Sequence, residues 1–226
     1  MGLHIYCIVP AGHPIPADCR GLDDRRPVAV DAGSLALWAT PHDAFIEPSV
    51  SALRTHNDVV RAAMTSHITP VPLRFGQWFA SRDEAVERVV EDSGRWAALL
   101  ARFAGRAEYG VRVLHAGPEA ERDVHPDSPK SGKDYMAGLA RKQAQATSRR
   151  EDGERIASGL TVRLEGLTVD ERVEYSLAGD VLVTLAHLVA WEAADEYHGV
   201  IREFLDAARD VQFVVTGPWP PYSFVA

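Results

Sequence analysis

The sequence predicts an α+β protein made of two small domains. Three observations lead to this prediction. Short β-rich runs accompany amphipathic helical segments in both halves of the chain. A polar stretch without periodicity separates the halves, and each half ends in the order strand, helix, strand. Such an order is typical of helices packed on one face of an antiparallel sheet.

The first half is expected to begin with two β elements and a helix. Leu3–Val9 is a β-rich run that ends before Pro10. Val28–Val30 and Leu35–Trp38 flank a turn-rich stretch and are predicted to form a hairpin. Ser49 is a candidate N-cap of the following helix, in which apolar residues recur at helical spacing.

The remainder of the first half is predicted to be strand, helix, strand. The two prolines of Ile68–Phe75 confine that strand to a sheet edge or a strand start. Ser81 and Glu84 have the spacing of a capping box, and the apolar stripe behind them predicts one helix that continues to Phe103. Glu108–Leu114 alternates as a half-buried strand does.

A boundary is expected within residues 116–132, which are rich in Gly, Pro, His, Asp and Ser. The long segment that follows, from Gly132 to about Gly159, has one narrow apolar stripe, so its helix either projects into solvent or packs along a seam. The predicted organisation is an N-terminal α+β domain over 1–116, a linker and polar helical arm over 117–160, and a C-terminal α+β domain over 161–226.

The second half repeats the pattern of the first. Arg172–Ser176 and Val181–Val189 are predicted strands around a turn at Gly179 and Asp180. A helix is expected over Trp191–Ala208, and Val211–Val215 is the last strand. The ferredoxin-like split β-α-β arrangement is the nearest common fold to this order of elements.

The charge and the termini argue against nucleic-acid and membrane partners. The chain of 226 residues has a formal net charge of −8, whereas a generic nucleic-acid binder needs a basic face. No run approaches the roughly 18 apolar residues of a membrane span, and the N-terminus lacks the pattern of a signal peptide. We therefore expect a cytoplasmic protein with reduced thiols, in which Cys7 and Cys19 are buried structural residues.

The sequence contains no recognisable catalytic, cofactor or metal site. The nine histidines form no HExxH motif and no pair at helical spacing, so they are interpreted as structural or solvated. Nucleophile-elbow, dinucleotide and Walker motifs do not occur. Lys130–Arg150 carries six basic residues and one acid, but acids follow at once and a single aromatic residue, Tyr135, does not make a series of stacking platforms, which favours an exposed protein-docking arm over a nucleic-acid stripe. We predict a protein that is not an enzyme.

The C-terminal stretch GPWPPYSF, Gly217–Phe224, is unusually stiff and apolar. In one interpretation it folds back, and its aromatic side chains fill the core or the seam between domains; its prolines lower the entropy lost on ordering. In the other it is an exposed docking patch, since Pro218 and Pro221 form a PxxP pattern. The stretch is too apolar to leave wet in a monomer, which favours the first interpretation.

An ordered series of motifs along the whole chain resembles the gas vesicle protein GvpF/GvpL family. The series begins with the strand Tyr6–Pro10 and continues through ALRTHNDVVRAAM, PVPLRFGQWF, EYGVRV and GKDYMAGLA. It ends with TGPWPPYSF, the most specific of these motifs. The motifs do not separate GvpF from GvpL.

This resemblance implies two modified ferredoxin-like domains with a helical arm and an accessory role in gas vesicle formation. The implied partners are GvpA, the small and very hydrophobic shell protein, and other Gvp accessory proteins, and the implied location is the cytoplasm and the gas vesicle. The candidate partner-binding residues are Arg54, Pro70, Pro72, Arg74, Phe75, Tyr135, Arg141 and Lys142. The tail residues expected to be structural are Gly217, Pro218, Trp219, Pro220, Pro221, Tyr222 and Phe224.

Two alternatives come from other classes of protein. A small-molecule enzyme would need a deep pocket lined by convergent His, Asp or Glu side chains. A nucleic-acid-binding regulator would bind through basic residues of the arm, such as Arg149 and Arg150, and its binding would be sensitive to salt.

Overall fold

The chain forms two compact units. The computed structural model describes residues 1–115, 132–176, 179–208 and 211–225. The first unit combines Met1–Glu108 with Pro218–Ala226, and the second is Tyr109–Gly217. The C-terminal segment thus belongs to the first unit, whereas the sequence placed it with the second half. The helical arm belongs to the second unit, and most of the boundary expected within 116–132 lies outside the described residues.

An antiparallel sheet lies at the centre of the first unit. Its almost entirely buried strand β1 (Gly2–Pro10) pairs along its length with β3 (Leu35–His42). β2 (Val28–Ala32) forms the predicted hairpin with β3. Two short strands, β4 (Val71–Pro72) and β5 (Trp78–Phe79), pair with the other edge of β1. The predicted first strand and hairpin are confirmed.

The strand predicted over Ile68–Phe75 is much shorter in the structure. Only Val71 and Pro72 pair with β1, because proline has no N–H to donate to a ladder. Leu73, just beyond β4, still donates its N–H to the carbonyl oxygen of Tyr6 at 3.0 Å. The segment therefore follows the edge of β1 although little of it is regular strand.

The first helix of the unit, α1 (Val50–Ala62), begins where its sequence predicts. The hydroxyl of Ser49 accepts a hydrogen bond from the N–H of Ala52 at 3.1 Å. The side chains of His56, Val59 and Val60 are buried by this helix. The predicted N-cap is confirmed.

A break divides the helix predicted from Ser81 to Phe103. The predicted cap is present at the start of α2 (Arg82–Glu91), where the hydroxyl of Ser81 accepts from the N–H of Glu84. The Glu84 carboxylate accepts from the N–H of Ala80 rather than from that of Ser81, so the reciprocal bond of a capping box is shifted by one residue. α2 ends at Glu91, Asp92 lies between the two helices, and α3 (Ser93–Phe103) begins immediately after it. Asp, Ser and Gly at 92–94 are weak helix formers, so the chain turns there. The single long helix was therefore a wrong prediction.

The second unit has the element order of a ferredoxin-like domain. Its elements are β6 (Arg106–His115), α4 (Gly132–Arg163), β7 (Thr168–Tyr175), β8 (Val181–Ala190), α5 (Ala194–Ala207) and β9 (Val211–Trp219). The strands are arranged β7-β8-β6-β9, with β7 and β8 antiparallel. This β-α-β-β-α-β order matches the predicted α+β class. The last strand is longer than predicted, since it continues into the tail as far as Trp219.

The helix α4 has two different halves. Its C-terminal half packs on β7 and β8 and buries Ile156, Ala157 and Leu160. Its N-terminal half leaves Tyr135, at 59% exposure, and its neighbours Met136 and Leu139 largely exposed. The sequence left open whether this helix projects into solvent or packs, and the helix does both along its length.

Replacing Gly153 by alanine is expected to destabilise the second unit. An alanine Cβ at this position of α4 would lie 3.2 Å from a ring carbon of Tyr175 and 3.3 Å from the carbonyl oxygen of Leu182. The overpacking cost, about 1–3 kcal/mol, exceeds the gain of up to about 1 kcal/mol that alanine gives in a helix. Urea unfolding measures the difference.

Gly138 on the same helix is the matched control. Among the described residues, no atom outside the backbone of the helix and the adjacent residues lies within 4 Å of an added Cβ there, so Gly138→Ala is expected to stabilise the helix by up to about 1 kcal/mol. A stabilising effect at both positions would contradict the close packing of α4 on the sheet.

Candidate functional site

The C-terminal tail is folded into the first unit. Gly217 has φ = 123°, a backbone conformation that favours glycine, and Pro220 and Pro221 after it are buried. A short 3₁₀ turn then carries Phe224, which is fully buried, and Tyr222, which packs against the core cluster formed by β1, β3 and α1. The tail therefore contributes large side chains to the interior of this unit.

Polar contacts hold the tail in place. Both the N–H and the hydroxyl of Ser223 donate to the carboxylate of Glu108, at 2.9 and 2.8 Å. Burial raises the pKa of Glu108, while these two bonds oppose the rise. Arg95 donates to the carbonyl oxygen of Val225 at 3.0 Å, and the guanidinium of Arg61 lies 4.9 Å from the centre of the Trp219 ring.

A buried histidine pair connects α1 to the segment after β4. His56 Nε2–H donates to the carbonyl oxygen of Leu73 at 2.8 Å, since that oxygen can only accept. His56 Nδ1 is then the acceptor for His4 Nε2–H at 2.9 Å. The ring of Phe75 packs against both imidazoles, with centroid distances of 5.1 and 5.6 Å. This pair is what fixes the position of the loop at 73–76 on α1.

Burial keeps these histidines neutral. Burial, together with the nearby His56 and His42, lowers the pKa of His4 to about 3. Burial lowers the pKa of His56 as well, against the opposing effect of its bond to Leu73. The geometry itself requires a neutral His56, because its Nδ1 accepts a hydrogen bond.

A second network contains the residue types of a nucleophile triad, but a substrate cannot reach its hydroxyl group. Thr40 Oγ1 lies 3.0 Å from His42 Nε2, and His42 Nδ1 lies 3.6 Å from a carboxylate oxygen of Asp23. The hydroxyl of Tyr6 contacts Thr40 at 2.7 Å and accepts from the N–H of Leu22. Since Thr40 is completely buried, a substrate has no access to its hydroxyl. The network satisfies polar groups in the core instead.

The groove, acidic and histidine side chains and helices that the structure describes do not indicate an active site, a metal site or a membrane span. A groove of about 310 Å³ between α4 and α5 is lined by Phe204, Arg155, Arg163 and apolar residues, and the described residues that line it include no His, Asp or Glu. Within the described residues no three His, Cys, Asp or Glu side chains form a metal-binding group. In the same part of the chain, none of the helices has the length and apolarity needed to cross a membrane.

Exposed apolar and basic side chains occur at the start of α1, in the segment before it and in the loop after β4. Val50, Leu53 and Arg54 share one side of the helix by their i, i+3, i+4 spacing, and Val50 is 77% exposed. The half-exposed ring of Phe45 lies over Gly76, and Arg74 of the same loop is exposed. The name α1 surface is used for Phe45, Val50, Leu53, Arg54 and Arg74. Neither arginine has an ion-pair partner among the described residues.

The model of the family "Gas vesicle synthesis protein GvpL/GvpF" matches residues 2–226 of the chain. The chain belongs to this family. Gas vesicle protein L of Streptomyces sp. (strain CB03234) is 30% identical over 249 residues, covering 98% of this chain and 91% of the relative. Gas vesicle protein F of the same strain is 26% identical over the full length of both. The crystal structure of GvpF from Anabaena sp. PCC7120 matches with a TM-score of 0.80 and 20% identity, over 100% of this chain and 96% of that one.

Within this GvpL/GvpF chain, the predicted partner-binding residues are divided between surface and interior. Arg54, Arg74, Tyr135 and Arg141 are exposed, whereas Pro70 and Pro72 are buried and Phe75 is half-buried against the histidine pair. The side chain of Lys142 is outside the described residues. Arg54 and Arg74 are thus exposed residues of the first unit, while Tyr135 and Arg141 belong to the second.

Sequence reasoning missed the role of His56. This residue stands in the middle of the family motif ALRTHNDVVRAAM, and its acceptor Leu73 stands in PVPLRFGQWF. The hydrogen bond therefore joins two of the motifs that carry the family resemblance. A buried polar residue on the apolar side of a predicted helix was the available signal.

Proposed function

We propose that the chain is an accessory protein of gas vesicle assembly that holds the shell protein GvpA, or other Gvp proteins, during nucleation of the vesicle. The observation that carries this proposal is membership of a family of gas vesicle synthesis proteins over residues 2–226. It would then meet these partners in the cytoplasm and at the nascent gas vesicle.

The α1 surface supports a docking role. Exposed apolar side chains such as Val50 and Leu53 are suited to cover apolar surface of a very hydrophobic shell subunit before its assembly. Arg54 and Arg74 supply charges that steer and orient an acidic segment of the partner. The exposed stripe of Tyr135, Met136 and Leu139 on α4 is the second candidate for such a contact.

Charge reversal at both arginines of the α1 surface is expected to weaken recovery of GvpA. Tagged GvpA is co-expressed with the wild-type chain and with the double variant Arg54→Glu, Arg74→Glu, and the recovered chain is quantified. We expect at least about a tenfold loss, because like charges at an interface replace attraction by repulsion. Arg141→Glu, on the other candidate surface, is the matched control.

The possible outcomes distinguish an error in the location of the binding site from an error in the proposed function. If Arg141→Glu or Tyr135→Ser lowers the amount of chain recovered with GvpA and the α1 double variant does not, the binding site lies on α4. If the wild-type chain recovers no GvpA and no other Gvp protein, the proposed function is wrong.

A further inference from the structure

The strand β7 offers an exposed sheet edge in the second unit. In the part of the sheet that the structure describes, β7 is the last strand and pairs only with β8. It is eight residues long, and it leaves Val169 50% and Val173 37% exposed. A long edge strand is a template for pairing with another strand unless its side chains prevent it.

The free edge of β7 directs its hydrogen-bonding groups outward at alternate residues. The N–H of Ser176 donates to the carbonyl oxygen of Leu182 at 3.0 Å, which makes this a hydrogen-bonded pair of the antiparallel ladder. Hydrogen-bonded and non-hydrogen-bonded pairs alternate along the register, in which Val173 is opposite Leu185 and Tyr175 is opposite Val183. Val173 and Tyr175 therefore turn their N–H and C=O groups away from β8.

We propose that β7 pairs with β7 of a second copy of this chain, antiparallel and centred on Val173. In this register the two Val173 residues face each other across a twofold axis. Arg172 of each copy then lies opposite Glu174 of the other, which gives two attractive charge pairs. Within its own chain Arg172 already contacts Asp170 at 3.2 Å. Asp170, Arg172 and Glu174 share one face of β7, so the guanidinium is held on the face where the intermolecular charge pairs would form.

Registers centred on a charged residue of β7 are repulsive. Centres at Glu171, Arg172 or Glu174 each place a charged side chain directly against its own copy. Like charges directly opposite are destabilising in a sheet. The charges of β7 thus disfavour these three registers, whereas the register centred on Val173 places opposite charges against each other. A second copy is therefore the occupant that fits this edge.

A cysteine at the centre tests the register. Directly opposite residues of a hydrogen-bonded antiparallel pair have Cα atoms about 5.5 Å apart, within the range that a disulfide spans. The natural Cys7 and Cys19 are buried, so Val173→Cys introduces the exposed thiol. Val169→Cys is the control, since it replaces a more exposed valine whose two copies would lie about 27 Å apart in this register. We expect at least about tenfold more disulfide-linked dimer from Val173→Cys on a non-reducing gel.

A charge swap and an edge block make the test independent of cysteine chemistry. Arg172→Glu and Glu174→Arg alone should each lower the dimer fraction in analytical ultracentrifugation, and the double variant should restore it. Val173→Pro should give a folded monomer, because proline is tolerated where an edge N–H faces solvent. The proposal is overturned if the two cysteine variants form equal amounts of disulfide-linked dimer. It is also overturned if the Val173→Cys protein stays monomeric or if the Val173→Pro protein still dimerises.

Discussion

Replacing Phe224 by alanine lowers the free energy of unfolding of the first unit by an expected 3–5 kcal/mol, about the range for buried Phe→Ala changes. The ring is fully buried although it stands two residues from the end of the chain. The 3₁₀ turn at Tyr222–Phe224 and the two bonds from Ser223 to Glu108 fix its position. The cavity left by alanine therefore cannot be filled without breaking these contacts.

Tryptophan fluorescence during urea unfolding measures this change. Trp38, Trp78, Trp96 and Trp219 lie in the first unit and only Trp191 in the second, so the signal reports mainly on the unit that contains Phe224. Phe45→Ala is the matched control, because that ring is 49% exposed and its loss should cost at most about 1 kcal/mol. Equal stabilities of the two variants would contradict a structural tail. Unchanged stability of Phe224→Ala with loss of GvpA would favour the docking interpretation of the tail.

Local signals in the sequence predicted the elements of this fold well. The Ser49 cap and the Ser81 and Glu84 box depend on residues three positions apart, and both occur where they were expected. The break at Asp92 was missed because the apolar stripe of α2 continues in phase into α3. A hydrophobic pattern reports which side of a helix is buried and does not exclude a turn within it.

Long-range contacts could not be predicted in the same way. Glu108 and Ser223 are 115 residues apart in sequence, and His4 and His56 are 52 apart. No periodicity or spacing relates such residues, so the return of the tail to the first unit follows only from the three-dimensional structure. The composition of the tail did indicate that it would be buried somewhere, since its aromatic and proline residues are costly to expose.

Buried histidines are expected to make the protein sensitive to acid. Burial lowers the pKa of His187 from 6.5 to about 4 and contributes to the value of about 3 for His4. Burial lowers the pKa of His42 and His56 in the same direction. Between pH 6.5 and 4 the unfolded chain therefore binds protons that the folded chain does not. The free energy of unfolding then falls as the pH falls through this window, and it is unaffected by these groups above pH 7.

The expected size of this effect is comparable to the stability of a domain. Each fully shifted histidine contributes about 1.4 kcal/mol per pH unit within its window, so His187 alone accounts for up to about 3 kcal/mol near pH 4. Protonating His56 has a further structural consequence, since its Nδ1 must then give up its role as acceptor from His4. The bond from His56 Nε2–H to Leu73 is compatible with the protonated ring, so acid should first weaken the contact between α1 and β1.

His187→Asn separates this mechanism from general acid denaturation. The imidazole Nδ1 lies 2.8 Å from the hydroxyl of Tyr197, and an asparagine side-chain amide can donate to or accept from that hydroxyl without taking up a proton. Urea unfolding at pH 7.5, 6 and 5 should show a shallower loss of stability for this variant than for the natural chain. His67→Asn, at an exposed position, should leave the slope unchanged. If all three proteins lose stability equally, the carboxylates rather than the buried imidazoles set the acid sensitivity.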